Sequence, residues 1–145
     1  MPSLTIGNVT SRLPIIQGGM AVRISRAPLA GAVAKAGGIG VVAGSGMEPD
    51  ELVRELREAR SLAQGGVVGV NIMVAVSAFK ELVHTALREG VDLMIAGAGF
   101  SRDVFAWCKE AGVPMVPVVG SERVGRLAEK FGGSAVIVEG AGPGG

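Results

Sequence analysis

Short apolar runs, each followed at once by glycines or other small residues, recur along this 145-residue chain. Ile39–Ala43, for example, leads into Gly44-Ser45-Gly46, and Met94–Ile95 leads into Gly97-Ala98-Gly99. Glycine at the carboxyl end of a strand allows the backbone to approach a ligand closely. Ligands of α/β folds bind at that edge of a parallel sheet. The pattern therefore predicts parallel strands with a binding edge.

The apolar runs are continuous, which is typical of strands buried on both faces. Six runs are predicted strands: Leu13–Ile16, Ile39–Ala43, Val67–Met73, Leu93–Ile95, Met115–Val119 and Ala135–Val138. Helical periodicity predicts a helix in each of the five gaps between them. Ser77, Ser101 and Ser121 are predicted to begin the last three helices. This order fits an open doubly wound sheet or most of a closed barrel, and the spacing slightly favours the barrel.

Residues 4–12 precede the first predicted strand and contain a Gly7-Asn8 pair between short apolar stretches. Such a pair predicts a small β-hairpin. In a barrel, this hairpin could plug the N-terminal mouth. An irregular leader is the alternative interpretation.

Composition excludes several classes of protein. Hydrophobic residues make up 48% of the chain and the net charge is +1, so a packed core is expected. The basic residues are scattered and the five aromatics include no tyrosine, which argues against a nucleic-acid groove. The single cysteine, Cys108, cannot form an internal disulfide and is expected in the core. Neither a membrane span nor a signal peptide is evident, so a cytoplasmic protein without membrane or nucleic-acid partners is expected.

Six segments, taken together and in order, resemble the nitronate monooxygenase family, formerly the 2-nitropropane dioxygenases. The related type II enoyl-acyl-carrier-protein reductases share them. The segments are Pro14–Ala21, Leu29–Gly40, Gly69–Met73, Gly97–Gly99, Pro114–Val119 and Val138–Gly140. Both groups are FMN enzymes on a TIM (β/α)₈ barrel. The resemblance implies that residues 1–145 form the N-terminal portion of one FMN-binding barrel domain, with about the first six strands and five helices.

The resemblance also implies a set of FMN-binding residues. They are Gly18, Gly19, Met20, Ala21, Gly44, Asn71, Gly97, Glu139, Gly144 and Gly145. The first four would lay backbone against the flavin ring, and the Asn71 amide would suit the pyrimidine edge or the phosphate-ribityl arm. Glu139 would accept a hydrogen bond from a ribityl hydroxyl.

Each of these roles has a structural alternative. The segment Gly18–Ala21 could be a tight turn, Asn71 could satisfy loop backbone, and Glu139 could cap a helix. Gly44 and Gly97 could be simple turn glycines. Arg23 and Arg26 are expected to be solvated surface charges, with contact to an anionic substrate or to the acyl carrier as the alternative.

In the family, a histidine after the glycine pair is implicated in catalysis, and here it would follow Gly145. No catalytic residue is therefore assigned, and His84 is expected on the surface of the third helix. Ala141-Gly142-Pro143 also departs from the common pattern of the family. Because a full barrel needs roughly 250 residues, we expect this chain alone to bind FMN weakly and turn over nothing. A C-terminal barrel half or a second chain would complete it, and a homo-oligomer is possible.

The resemblance implies an FMN-dependent oxidoreductase that uses dioxygen to oxidise a small-molecule substrate, an alkyl nitronate. An NAD(P)H-dependent FMN enoyl reductase on the same scaffold is the near alternative. A catalytically incomplete barrel fragment is a second alternative, and an open α/β domain for another phosphate ligand is a third.

Overall fold

The computed structural model describes residues 1–21 and 23–140, in which a hairpin precedes alternating helices and strands. The hairpin strands are β1 (Leu4–Ile6) and β2 (Val9–Ser11). The remaining strands are β3 (Ile39–Ala43), β4 (Val67–Met73), β5 (Leu93–Gly97), β6 (Met115–Val119) and β7 (Ile137–Val138). The helices are α1 (Ala27–Lys35), α2 (Pro49–Ala63), α3 (Phe79–Arg88), α4 (Asp103–Ala111) and α5 (Glu122–Lys130).

Strands β3 to β7 form one parallel sheet in which spatial order follows chain order throughout. A doubly wound sheet would instead reverse its strand order at a switch point. Uninterrupted β–α–β order is that of a barrel wall. The predicted α/β class and partial TIM barrel are confirmed, with five strands in the sheet.

The two faces of the sheet belong to separate apolar clusters. The outer face packs under the helices and includes Val42, Val70 and Met94, each 0% exposed. The inner face joins Val41 and Ile95 to neighbours from the other strands and the hairpin, and no helix residue belongs to that cluster. Burial on both faces explains why the strands read as continuous apolar runs.

The first predicted strand, Leu13–Ile16, is reduced to a single parallel bridge between Ile16 and Ile39. Backbone pairing with β3 consists of Ile39 N donating to Ile15 O at 2.8 Å and Gln17 N donating to Ile39 O at 3.0 Å. Beyond that point the Gln17 side chain, rather than backbone, bonds to β3. The predicted strand is therefore correctly located but shorter than expected.

The predicted hairpin is confirmed and closes the N-terminal end of the sheet. Its strands pair antiparallel around Gly7, whose φ of +58° suits glycine. Ile6 is 5% exposed within the inner apolar cluster. Asn8 Nδ2 donates to Gly112 O at 3.3 Å, and Gly7 lies against Pro114. The hairpin therefore contacts the segment that leads into β6.

Helix α1 is rich in small residues because it lies unusually close to its neighbours. A Cβ on Gly40 of β3 would overlap the carbonyl of Ala30, and one on Gly66 would overlap the carbonyl of Ala34. Side chains at either glycine would push α1 away from the sheet. Small residues here are thus a packing requirement.

Helix starts follow the predictions in part. Ser121 caps α5 by accepting a hydrogen bond from Val124 N at 3.3 Å. The prediction for Ser77 was wrong, because α3 begins at Phe79 without a side-chain cap. No helix in the described part of the chain is long and apolar enough to cross a membrane.

Candidate binding site at the carboxyl edge of the sheet

Two of the predicted FMN-binding residues lie on the inner face at the carboxyl ends of neighbouring strands. Asn71 of β4 alternates with Val70 and Ile72, which both point into the outer cluster. It therefore faces the concave side, as successive strand residues point to opposite faces. Gly97 ends β5 beside Met73, its register partner on β4. The sheet therefore brings Asn71 and Gly97 to the same edge.

Gly19 lies directly against Asn71, although 52 positions separate the two numbers along the chain. A Cβ on Gly19 would lie 2.5 Å from Asn71 Cβ and 2.7 Å from its Nδ2, so only glycine fits without displacing the amide. Gly18 is exposed, and a Cβ there would meet nothing within 4 Å. The segment Gly18–Ala21 thus passes over the end of β3 and reaches β4.

The Asn71 side chain is half-buried, and no hydrogen bond joins its carboxamide to another group among residues 1–21 and 23–140. A carboxamide can donate two hydrogen bonds and accept two. A polar group at a partly exposed position can bond to water until a ligand replaces it. The arrangement leaves a donor and an acceptor free at the edge where α/β proteins bind ligands.

Gly97 is also tightly placed. A Cβ there would lie 3.3 Å from the Val118 side chain, closer than ordinary contact. Its carbonyl accepts a hydrogen bond from Val74 N at 2.8 Å, which ties the loop after β4 to β5. Met73, 38% exposed, lies next to it on the same face. Met73 is therefore partly open at this edge rather than buried in the core.

Gly44 does not join this group. A Cβ on Gly44 would meet Leu52, Val70 and Ile72 of the outer cluster, so the residue faces the helix layer. Its N–H donates to Asn71 O at 2.9 Å. The contact geometry of Gly44 matches the structural alternative, the simple turn glycine. Its predicted ligand contact stays a prediction.

Among the remaining predicted residues, Glu139 lies at the far end of the sheet. Glu139 is exposed just after β7, and its N–H donates to Val119 O at 2.9 Å. Gly144 and Gly145 lie outside the described residues, as does Ala141-Gly142-Pro143. Among the described residues, no group of three or more His, Cys, Asp or Glu side chains could hold a metal ion.

Sequence reasoning missed the two side chains that hold Gly18–Met20 in place. Ser25 is fully buried; its Oγ donates to Gly18 O and accepts from Met20 N, both at 2.9 Å. Gln17 Nε2 donates to the same Oγ at 2.9 Å. The available signal was a glutamine and a serine flanking a glycine-rich turn, a pattern with no established rule.

Arg26 is not the free surface charge that the sequence suggested. Its guanidinium is paired with Glu55 of α2, with Nε donating to Oε1 at 2.7 Å. The hydrogen bond to Glu55 raises the pKa of Arg26 above its ordinary value. Glu55 also accepts from Ala27 N at 2.8 Å, and so anchors the start of α1. Arg23, 58% exposed, lies 3.6 Å from Glu51.

His84 and Cys108 lie in the helix layer, away from the carboxyl edge. His84 is half-buried rather than at the surface, with its ring centroid 4.8 Å from that of Trp107. Cys108 is fully buried, as expected, and burial raises the pKa of its thiol to about 12. A thiol in this state is a poor nucleophile.

The fold and the glycine-lined edge define part of a (β/α) barrel with its ligand edge at the strand ends. Residues 3–86 match the family described as nitronate monooxygenase. That match covers more than half of the chain, which belongs to the nitronate monooxygenase family.

Solved structures support this assignment. FabK from Thermotoga maritima superposes with a TM-score of 0.86 at 35% identity, covering 90% of this chain and 41% of that one. Nitroalkane oxidase from Streptomyces ansochromogenes gives a TM-score of 0.79 at 25% identity, covering 89% and 46%.

A curated relative from Mycobacterium tuberculosis is 31% identical over 132 residues, which is 91% of this chain and 37% of the relative. It is named (3aS,4S,5R,7aS)-5-hydroxy-7a-methyl-1-oxo-octahydro-1H-indene-4-carboxyl-CoA dehydrogenase. A namesake from Rhodococcus jostii is 29% identical over the same share of this chain. The chain thus spans less than half the length of the proteins it resembles.

Proposed function

We propose that these residues form the N-terminal portion of an FMN-dependent oxidoreductase barrel. The observation that supports this most directly is the approach of Gly19 to Asn71 at the carboxyl edge. It joins a backbone segment without side-chain bulk to an amide with free hydrogen-bonding capacity. A planar, polar-edged cofactor can use both of these, and a Cβ at Gly19 would displace the Asn71 amide.

The residues fit FMN in kind. The backbone of Gly18–Ala21 would lie against the ring system, and Asn71 would donate to and accept from its polar edge or its ribityl arm. Gly97 would leave room beside Met73, and Glu139 would accept a hydrogen bond from a hydroxyl. Bound FMN would supply the redox chemistry, and the protein would bind it, orient it and exclude side reactions.

An alkyl nitronate oxidised by dioxygen is the first candidate substrate, in keeping with the family. A CoA or acyl-carrier thioester is the second candidate, because the curated relatives at 31% and 29% identity are named as dehydrogenases of a carboxyl-CoA. An NAD(P)H-dependent enoyl reductase would belong to this second class. The described residues favour neither substrate, since the contacts they offer are to the cofactor.

Flavin binding tests the proposal before any substrate is chosen. FMN would be titrated into the purified protein, with quenching of flavin fluorescence giving the Kd. Replacing the amide in Asn71→Ala should raise the Kd about tenfold, since one or two hydrogen bonds would be lost. Asn8→Ala is the matched control, because Asn8 lies in the hairpin at the opposite end of the sheet.

Two results would contradict the proposal. One is an unchanged protein that does not quench FMN at any concentration reached, and the other is equal loss of affinity in Asn71→Ala and Asn8→Ala. If FMN binds, oxygen uptake with an alkyl nitronate and NAD(P)H oxidation with an enoyl thioester would separate the two substrate classes.

A further inference from the structure

Gln17 takes the place of backbone in the pairing with β3. In a parallel ladder each residue bonds to the two residues that flank its partner. Ile39 follows this rule by pairing with Ile15 and Gln17. Val41 should then pair with the backbone of residues 17 and 19. Instead, Val41 N donates to Gln17 Oε1 and Gln17 Nε2 donates to Val41 O, both at 3.0 Å.

This substitution releases the following backbone from the sheet. Because one side-chain amide satisfies both polar groups of Val41, residues 18 and 19 need not continue the strand. Gly19 accordingly lies against Asn71 of β4, beyond the end of β3. The carboxamide is suited to the task, since it supplies an acceptor and donors in one planar group.

The Ser25 hydroxyl binds the backbone of the segment Gly18–Met20, which does not pair with β3. This hydroxyl has one proton and two lone pairs, and its three partners use all of them. It donates to Gly18 O and accepts from Met20 N and Gln17 Nε2. The Ser25 backbone adds bonds to Met20 O at 3.0 Å and from Ala43 N at 2.8 Å. The hydroxyl and backbone of Ser25 therefore join the segment to β3.

We infer that Gln17 and Ser25 are positioning residues that hold Gly18–Met20 in the place where it can bind FMN. The inference rests on the proposed function. Neither side chain needs to touch the cofactor. Gln17 replaces the backbone of the segment in the pairing with β3, and the hydrogen bonds of Ser25 to Gly18 and Met20 fix where the segment lies.

Paired substitutions test this. Gln17→Met keeps the length of the side chain and removes its hydrogen bonds, and Gln64→Met makes the same change at an exposed residue after α2. Ser25→Ala removes the hydroxyl, with Ser61→Ala on the exposed part of α2 as its control. In case one variant fails to fold, the other still tests the inference.

Two readouts apply to each variant. NMR amide exchange in the flavin-free protein should accelerate at Val41 in Gln17→Met and at Met20 in Ser25→Ala, while amides of β5 keep their protection. The Kd for FMN should rise about five- to tenfold in both, a loss of binding free energy about equal to the net contribution of one hydrogen bond. The controls should match the unchanged protein in both measurements.

The outcomes separate the two claims. Unchanged FMN affinity in Gln17→Met and Ser25→Ala, beside measurable binding by the unchanged protein, would overturn the inference alone. Loss of protection throughout β3 to β6 would also overturn it, because the residues would then act on the whole fold. Absence of FMN binding in the unchanged protein would overturn the proposed function, and this inference with it.

Discussion

The amino and carboxyl ends of the same parallel strands differ in the residues that they carry. At the amino end, the hairpin inserts Ile6 into the inner apolar cluster and packs against Pro114. At the carboxyl end, glycines and the free amide of Asn71 occupy the equivalent level. One end is filled with apolar side chains, and the other presents glycines beside the side chains of Asn71 and Met73.

This difference indicates that stability and ligand binding depend on opposite ends of the barrel strands. Residues at the amino end of barrel strands serve stability, whereas those at the carboxyl end serve binding and catalysis. The sequence shows the division only in part, since apolar runs lead into glycines at their carboxyl ends but glycines such as Gly37-Gly38 and Gly65-Gly66 also precede them. Substitutions at the two ends should therefore have separable effects.

The largest effect is expected at the closed end. Ile6→Ala should lower the free energy of unfolding by about 2–5 kcal/mol, since it leaves a cavity in the inner cluster. Ile24→Ala, at a side chain that is 59% exposed, should cost less than about 1 kcal/mol. Urea denaturation measures both. Equal stabilities of the two variants would show that packing of the hairpin against the sheet does not stabilise the fold.

A smaller loss of stability is expected from the anchor of α1, at the open end. Glu55→Ala would leave the buried Ala27 N–H without its acceptor, which should cost about 1–3 kcal/mol. Glu58→Ala, on the exposed face of the same helix, is the control and should change stability little. Thermal unfolding compares them. If Glu58→Ala lowers the Tm as much as Glu55→Ala, the anchor is not specific.

Substitution of Gly19 should weaken FMN binding while leaving the stability of the protein nearly unchanged. In Gly19→Ala the new methyl group would displace Asn71, so the Kd for FMN should rise about tenfold or more while stability falls by less than about 1 kcal/mol. Gly120→Ala makes the same change where a Cβ meets nothing within 4 Å. Fluorescence titration and urea denaturation would be run together. An unchanged Kd in Gly19→Ala would contradict the assignment of the carboxyl end to FMN binding.

The smallest expected effect on stability is the pH dependence that the Cys108 thiol contributes. Cys108 lies in the helix layer rather than at either end of the strands. Burial raises the pKa of its thiol from 9.0 to about 12, so the unfolded chain loses the proton first as pH rises. Its contribution to stability should therefore be constant below pH 9 and decline between pH 9 and about 12.

Comparison with Cys108→Ala isolates this contribution. The stability difference between the two proteins should shrink as the pH rises from 9.0 toward about 12. The chain has no tyrosine to titrate in the same range. A difference that stays constant across that range would mean that the thiol is not shielded.

Much of the fold could be predicted from local signals. Continuous apolar runs located β3 to β7, and Gly7-Asn8 located the hairpin turn. These predictions succeeded because burial on both faces and turn geometry leave direct marks in the sequence. The first strand was predicted too long, because nothing local indicates that a glutamine side chain would replace backbone in the pairing.

The site was harder to predict. The closeness of Gly19 to Asn71 depends on how far a loop crosses the end of β3, which no residue pattern encodes. Gly44 and Gly97 look alike in the sequence, yet the pleat turns one toward the helices and the other toward the inner face. Ser25 was invisible because a buried serine is recognised only by its partners.

The hydrogen bond from Asn8 to Gly112 has a consequence for the order of folding. It joins groups 104 positions apart, so the hairpin is synthesised long before its docking surface exists. At about 5–20 residues per second, the ribosome would need roughly 5–20 s to complete that interval. Until Leu93 and Val116 are made, Ile6 lacks its partners from β5 and β6, and non-local contacts of this kind form late. The hairpin is therefore expected to be among the last elements of this part of the fold to settle.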